Sequence, residues 1–204
     1  NFSIVKYTGT GSGNSTVGHG LGTTPTFIIC KHLDRSQNWR VFHTAEGAGE
    51  TGFLNSTAAF SADPDRISAV SSTTFTAAAN MNESADYIAY CFADVEGYSK
   101  FGSYTGNGSS DGVFVHTGFE VGFLMYKRTN SAESWEMYDN TRGFNVHNFN
   151  LRANLSNAEQ SDVRVDLLSN GFKARSSNTA INSSGDSYIY MAFASRSFKT
   201  ANAQ

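Results

Sequence analysis

The sequence contains an internal repeat, in which one unit of about 97 residues is used twice. The stretch YTGTGS begins at Tyr7 and returns as YTGNGS from Tyr104. Later in each copy, FIICK is matched by FLMYK, and YIAYCFA is matched by YIYMAFA. A period of this length is typical of paired domains rather than of a solenoid. The repeat therefore predicts two related units, residues 1–96 and 97–204, and leaves open whether they form one sandwich or two.

Single residues also align at an offset of about 97. This offset places His19 on His116 and Leu54 on Leu151. We expect the two histidines to share one role in both copies. Because no histidine stands at a metal-ligand spacing or beside a cysteine cluster, that role is expected to be a hydrogen bond to the backbone.

Each copy has the pattern of short β-strands separated by glycine-rich or polar turns. Alternation of polar and apolar residues over 3–7 indicates a strand with one buried face. YIAYCFA and YIYMAFA are apolar throughout, which favours interior strands. The other predicted strands are 26–32, 38–43, 66–70 and 73–77 in the first copy, and 123–128, 134–139, 163–168 and 171–175 in the second. We therefore predict an all-β fold, in which two duplicated units form a β-sandwich-like (lectin-like or jelly-roll-like) architecture.

Two finer predictions concern the tryptophans and the helical content. Trp39 and Trp135 occupy matching strands, and both are expected in the core because burying an aromatic side chain contributes about 2–3 kcal/mol. Residues 56–62 and 156–161 are the segments with some tendency to form a helical turn.

The composition excludes several classes of partner. Only 16% of the residues are charged and the formal net charge is -3, so the chain lacks the clustered lysine and arginine that a nucleic-acid surface requires. No apolar run approaches the roughly 20 residues that span a bilayer. Ser, Thr and Asn make up roughly 30% of the chain, which suits neutral hydrogen bonding. The opening NFSIVKYTG has no signal-peptide pattern, and we expect the chain to be part of a longer polypeptide.

The residues show no recognisable catalytic or cofactor motif. The glycine-rich stretches fit neither phosphate-binding fingerprint and are expected to be turns. No Gly-x-Ser-x-Gly nucleophile elbow is present. Cys30 and Cys91 lie within apolar runs and are expected to be free, buried thiols. We expect no enzyme, no cofactor and no metal.

The sequence also contains carboxylates and glycosylation sequons that are candidate sites. The acidic residues Asp63, Asp65, Glu83, Asp86, Asp94 and Glu96 are potential partners for acid–base chemistry on a glycan, with solvated loop positions as the default interpretation. Six Asn-x-Ser/Thr sequons, at Asn14, Asn55, Asn82, Asn107, Asn154 and Asn182, are close to what the composition alone produces.

The loops differ between the copies more than the strands do, and binding residues are usually placed on such loops. Drift of unconstrained loops is the alternative explanation. The candidate binding residues are the hairpin tip Asp34, Arg35, Ser36 and Gln37 of the first copy, and Asn130, Glu133, Arg142 and His147 of the second.

The segments FSIVKYTGTGSGNSTVGHGLGTTPTFIICK, YCFADVEGYSKFGSYTGNGSSDGVFVHTGF and LLSNGFKARSSNTAINSSGDSYIYMAFA resemble a repeated C-terminal domain of tail-fibre and tail-associated structural proteins of marine bacteriophages and cyanophages. The resemblance covers nearly the whole chain and implies a virion protein of the tail or a surface appendage, assembled in the host cytoplasm. It further implies contact with a host surface glycan or protein receptor, contact with other virion proteins, and a homo-oligomer, a trimer by analogy. It brings no catalytic motif.

Three functions remain open from the sequence. The first is a receptor-binding module that acts without catalysis and without entering a membrane. The second is a purely architectural head or tail decoration protein. The third is a glycan-degrading enzyme.

Overall fold

The computed structural model describes residues 1–143 and 149–196, and the chain forms two compact units, Asn1–Asp94 and Val95–Gln204. The division after Asp94 is close to the one that the repeat predicts, after Glu96. Apart from one short 3-10 turn, Ala79–Met81, the regular structure of the described residues consists of β-strands. The fold is all-β, with four antiparallel sheets.

Within the part of the chain that the structure describes, each unit has nine strands in the same order. Those of the first unit are β1 (Phe2–Thr8), β2 (Ser15–Gly18), β3 (Phe27–His32), β4 (Arg40–His43), β5 (Glu50–Phe53), β6 (Ser61–Ala62), β7 (Ile67–Val70), β8 (Thr74–Ala77) and β9 (Asp86–Phe92). Those of the second are β10 (Ser99–Thr105), β11 (Phe114–His116), β12 (Val121–Arg128), β13 (Glu136–Asp139), β14 (Phe149–Arg152), β15 (Gln160–Ser161), β16 (Val165–Leu168), β17 (Gly171–Ala174) and β18 (Ser187–Ala194).

Both units are two-sheet sandwiches with one topology. In the first, a six-stranded sheet in the order β1-β9-β3-β4-β5-β6 faces a three-stranded sheet in the order β2-β8-β7. In the second, the corresponding orders are β10-β18-β12-β13-β14-β15 and β11-β17-β16. The predicted β-sandwich of two duplicated units is therefore confirmed. The apolar strands β9 and β18 are interior strands, as predicted, because each pairs with a neighbour on both sides.

The core of each unit lies between its two sheets. In the first unit, buried side chains of β3 and β4, including Ile28 and Phe42, pack with Ile67 and Phe75 of the smaller sheet. The second unit repeats this arrangement with residues from both of its sheets. Each unit contains a pair of stacked tyrosine rings. The ring centroids of Tyr7 and Tyr87 are 5.0 Å apart in the first unit, and those of Tyr104 and Tyr188 are 4.9 Å apart in the second.

The glycine-rich stretch after β1 is a structural element held by a buried asparagine. Asn82 is fully buried, its Oδ1 accepts the Thr10 amide at 2.9 Å, and its Nδ2 donates to the Ser12 carbonyl at 3.0 Å. Gly9 is required because a Cβ there would lie 2.0 Å from the Glu83 carbonyl oxygen. The prediction of turn glycines is confirmed.

The second unit has the same clamp around its own glycine-rich stretch. Asn182, also fully buried, accepts the Asn107 amide at 2.9 Å and donates to the Ser109 carbonyl at 2.7 Å. A Cβ at Gly106 would lie 2.1 Å from the Ser183 carbonyl oxygen. Two of the six sequon asparagines are thus core residues.

Three sequence predictions about the fold are wrong in part. Trp135 is 1% exposed, as predicted, but Trp39 is only partly buried. Both tryptophans lie on the hairpin face opposite to the core residues Phe42 and Tyr138, so this face is covered more completely in the second unit. Residues 56–62 and 156–161 form no helical turn, and each ends in a short strand, β6 or β15.

The third error concerns the offset of the repeat, which varies along the chain. The His19 amide donates to the Thr73 carbonyl, and the equivalent bond in the second unit joins the Thr117 amide to the Asn170 carbonyl. The structural counterpart of His19 is therefore Thr117, while His116 is exposed. By the same reasoning, Leu54 corresponds to Ala153 rather than to Leu151, since each of the first two donates its amide to the carbonyl of the aligned tryptophan.

Candidate functional site

The first unit contains an open cleft of about 440 Å³, which is lined by two strand ends of the larger sheet and by connecting segments. The connection between β3 and β4 supplies Ser36, Gln37 and Asn38, and the ends of β4 and β5 supply Arg40 and Phe53. The remaining lining residues are Arg66, which immediately precedes β7, Asn80 of the 3-10 turn, and Glu83.

The strand register explains how Arg40 reaches this position. Arg40 lies opposite Cys30 in the pairing of β3 with β4 and opposite Phe53 in the pairing of β4 with β5. Cys30 belongs to the sandwich core, so Arg40 points to the core side at the first residue of its strand. An arginine at the end of a core-facing row places its guanidinium at the boundary between core and cleft.

Arg40 is an incompletely satisfied buried cation. The residue is 7% exposed, and its Nη2 donates to Gln37 Oε1. Among the described residues, its Nε and Nη1 have no hydrogen-bond partner. Burial, followed by repulsion from the Arg66 guanidinium, lowers the pKa of Arg40. Buried charges are normally paired, so this site favours binding of an anion.

The other two arginines at the cleft have carboxylate partners. Arg66 Nε lies 2.7 Å from Asp63 Oδ2, and Arg35 forms an ion pair with Glu83. Among the described residues at this cleft, Arg40 is thus the arginine whose buried donor nitrogens lack a hydrogen-bond partner.

The second unit differs at the position that corresponds to Arg40. Glu136 begins β13, lies opposite Tyr126 as Arg40 lies opposite Cys30, and is 1% exposed. Its Oε1 is 3.0 Å from Arg152 Nε and 3.6 Å from Arg164 Nη1, and its Oε2 accepts a hydrogen bond from Asn150. The second unit therefore supplies from its own chain the carboxylate that the first unit lacks.

The structure brings three of the predicted binding residues of the first unit to the cleft. Ser36 and Gln37 line it, and Arg35 pairs with its lining residue Glu83. Asp34 lies outside the lining, where its Oδ2 accepts the Asp86 amide at 2.7 Å.

The predicted residues of the second unit do not converge on one place. Asn130 Nδ2 donates to Asp186 Oδ1 at 2.9 Å, and Glu133 Oε1 accepts from Thr179 Oγ1 at 2.8 Å. Arg142 forms ion pairs with Asp139 and Glu159. His147 lies outside the described residues.

Sequence reasoning missed most of the residues that build the cleft, namely Asn38, Arg40, Phe53, Arg66 and Asn80. One signal pointed to them. The residue after each aligned tryptophan is Arg40 in one copy and Glu136 in the other, which is a reversal of charge within an otherwise matching strand.

His19 and the two cysteines are buried within the first unit. His19 is 1% exposed, its Nδ1 accepts the Leu21 amide at 3.2 Å, and its Nε2 lies 3.1 Å from the Ser71 carbonyl oxygen. Cys30 and Cys91 are free and buried, as predicted, and burial raises their pKa to about 11 and about 12. Within residues 1–143 and 149–196, no group of three or more His, Cys, Asp or Glu residues is arranged to hold a metal ion.

No helix among the described residues has the length and apolar character needed to cross a membrane. Comparison with curated proteins and with solved structures found no match. Comparison with protein families matched residues 1–197 to the family described as "Domain of unknown function (DUF7483)". Since the match covers nearly the whole chain, this protein belongs to the DUF7483 family.

Proposed function

We propose that this chain is a virion module of a bacteriophage, a tail-fibre or receptor-binding tip, that contacts the host cell surface without catalysis. The observation that carries the proposal is the cleft of the first unit. Its polar lining includes Ser36 and Gln37 of the hairpin tip that differs between the two copies, and it contains the unsatisfied Arg40. Binding residues are usually carried by such loops on a rigid scaffold.

The resemblance to phage tail proteins supports the same function. A surface rich in Ser, Thr and Asn offers neutral hydrogen bonds, and these match the hydroxyl groups of a glycan. We propose a host surface glycan or protein receptor as the ligand, other virion proteins as neighbours, and a homo-oligomer, a trimer by analogy, as the assembled form. Its location would be the tail or another surface appendage of the virion.

The carboxylates near the cleft support binding rather than hydrolysis. Asp63 and Glu83 are each held in an ion pair with an arginine. A glycosidase needs one carboxyl group to stay protonated as a general acid. Asp86, which pairs with Lys6 at 2.7 Å, has a lowered pKa instead, because it accepts a hydrogen bond from that lysine.

The proposal is tested by exchanging the two hairpin tips. In one variant, residues 34–37 are replaced by the sequence of residues 130–133, and in the control variant the replacement runs in the opposite direction. Fluorescently labelled protein is then incubated with cells of marine bacteria, including cyanobacteria. We expect the first exchange to abolish adsorption and the control exchange to preserve it, with circular dichroism showing that both variants fold.

Equal adsorption by both variants would overturn the assignment to the tip of the first unit. A protein that adsorbs to no cells, and that immunogold labelling places away from the tail tip of its particle, would overturn the receptor-binding function. Release of new reducing ends from envelope polysaccharide by the purified protein would instead show an enzyme.

A specific observation also favours the second candidate, an architectural module. β1 is an edge strand, and its outward-facing Phe2 and Ile4 are 53% and 57% exposed. Exposed apolar side chains on an edge strand can mediate assembly with other chains. Replacement of both by serine would then weaken assembly and leave adsorption to cells unchanged.

A further inference from the structure

The cleft of the first unit is lined by a buried cation, Arg40, whose Nε and Nη1 have no hydrogen-bond partner among the described residues. We propose that this cleft binds the carboxylate of an acidic sugar, such as a uronic acid residue of a surface glycan, through Arg40. The inference deepens the proposed function and rests on it for the source of the sugar. The binding chemistry itself follows from the cleft.

The Arg40 guanidinium is incompletely hydrogen-bonded. Its Nε and Nη1 have no hydrogen-bond partner among the described residues although the residue is only 7% exposed. Nε and one Nη of a guanidinium form a fork that matches the two oxygens of a carboxylate. Leaving such donors unpaired is costly. Both nitrogens are enclosed by the protein, so a ligand carboxylate satisfies them when the Arg40 side chain turns toward the cleft that it lines.

A second observation comes from the comparison with the second unit. At the corresponding position, Glu136 places a carboxylate between Arg152 and Arg164. The counterpart of Arg164 in the first unit is Arg66, since the Arg164 carbonyl accepts the Arg175 amide and the Arg66 carbonyl accepts the Ala78 amide, each directly after the equivalent strand. The duplicated scaffold therefore holds an ion-paired carboxylate in the second unit where the first unit holds the Arg40 side chain. A carboxylate partner for Arg40 would come from outside the chain.

A third observation concerns the remainder of the ligand. Ser36, Gln37, Asn38 and Asn80 surround the arginine with neutral hydrogen-bonding groups, which match the hydroxyls of a sugar. The ring of Phe53 lines the same space, and aromatic rings pack against the apolar faces of sugar rings. The volume of about 440 Å³ lies within the range of roughly 300–1,000 Å³ for small-molecule sites.

An acidic peptide is the alternative source of a carboxylate. The observations favour a sugar because half of the lining residues carry neutral polar groups and the lining carboxylate, Glu83, is already paired with Arg35. A glutamate or aspartate side chain would use Arg40 and leave most of these neutral groups without a partner.

The test is isothermal titration calorimetry on the full chain. The probes are uronic acid oligosaccharides (galacturonate, glucuronate and mannuronate), their neutral counterparts of equal length, and poly-glutamate. The variants are Arg40→Gln, which removes the cation, and Gln37→Glu, which places a competing carboxylate beside it. Arg175→Gln, on a partly exposed arginine of the second unit paired with Asp166, is the matched control.

We expect at least one uronate oligosaccharide to bind and its neutral counterpart to bind roughly tenfold or more weakly. Arg40→Gln and Gln37→Glu should each lower the affinity by roughly tenfold or more, because each removes a charge-assisted contact, and Arg175→Gln should not change it. Absence of binding to every uronate, or affinity unchanged in Arg40→Gln, overturns the inference. Equal or tighter binding of poly-glutamate overturns it in favour of a protein ligand.

Failure of this inference differs from failure of the proposed function. Adsorption to cells that survives Arg40→Gln would leave the receptor-binding function standing and remove the acidic sugar. If the protein bound uronates but adsorbed to no cells, the acidic-sugar site would stand and the receptor-binding function would fall.

Discussion

The two units of this chain use one scaffold for opposite charges at the same position. In the first unit, Arg40 is buried with two unpaired donor nitrogens among the described residues. In the second, Glu136 is buried and contacts Arg152, Arg164 and Asn150. The strand register around both residues is the same, so the difference lies in the side chains rather than in the fold.

This comparison separates a position that stabilises the protein from one that is available for binding. A buried carboxylate with several partners is costly to remove, because its loss leaves the partners uncompensated. A buried arginine with unused donors contributes little to stability and retains capacity for a ligand. Duplication allows one copy to keep the fold stable while the other copy changes at this site.

The largest expected effect is on the second unit. We predict that Glu136→Gln lowers its free energy of unfolding by about 3 kcal/mol, since removing one partner of a buried ion pair typically costs 3–5 kcal/mol. Arg40→Gln should change the stability of the first unit by less than about 1 kcal/mol, because it removes a poorly compensated charge. Native-state hydrogen exchange of the amides in β4 and β13 measures each unit separately. Equal losses in both units would contradict the comparison.

The asparagine clamps should behave alike in the two units. We predict that Asn82→Ala and Asn182→Ala each destabilise their own unit by about 2 kcal/mol, because each removes a fully buried side chain together with its hydrogen bonds to a glycine-rich stretch. Asn14→Ala, on an exposed asparagine, is the control and should have no effect. Urea unfolding followed by hydrogen exchange provides the measurement. A cost confined to one unit would show that the clamp is not shared.

The smallest expected effect is a pH dependence of the second unit, which amounts to about 1.6 kcal/mol between pH 8 and pH 9.5. Burial lowers the pKa of Lys127 to about 8 from its ordinary 10.5. Between these values the unfolded chain retains a proton that the folded chain has released, so stability rises with pH by up to about 1.4 kcal/mol per pH unit. Below pH 8 both states are protonated and this contribution no longer changes.

Lys127→Met should remove this rise between pH 8 and pH 9.5, as measured by urea unfolding at each pH. The same substitution at Lys31, the counterpart in the first unit, controls for the loss of a lysine at this register position. An unchanged slope in Lys127→Met would contradict the assignment to Lys127.

The sequence predicts the scaffold well because the scaffold depends on patterns that are repeated. Period-two alternation in β1 and the apolar runs of β9 and β18 report burial directly. The second copy of each block shows the same pattern again, which supports the same strand prediction. The hairpin β3–β4 was predicted for the same reason, whereas the helical turns proposed for residues 56–62 and 156–161 had only local propensity behind them and were wrong.

The cleft is harder to predict because its residues are distant along the chain and belong to separate strand ends and connections. Gln37, between β3 and β4, and Arg66, directly before β7, line one space only in the folded unit. The alignment of His19 with His116 failed for a related reason: the offset between the copies changes by one residue within the loops, and strand pairing alone reveals the change. The charge reversal at Arg40 was visible in the sequence, but its burial was not.

The most direct test of the central claim is a ¹H–¹⁵N spectrum of the arginine Nε–H groups, recorded during titration with a uronate oligosaccharide. We expect the Arg40 signal to shift until the site is saturated. The signals of Arg152 and Arg164 should stay in place because both arginines are already paired with Glu136. An Arg40 signal that does not move, or shifts in the second-unit arginines instead, would contradict the claim that the first unit takes its carboxylate from a ligand.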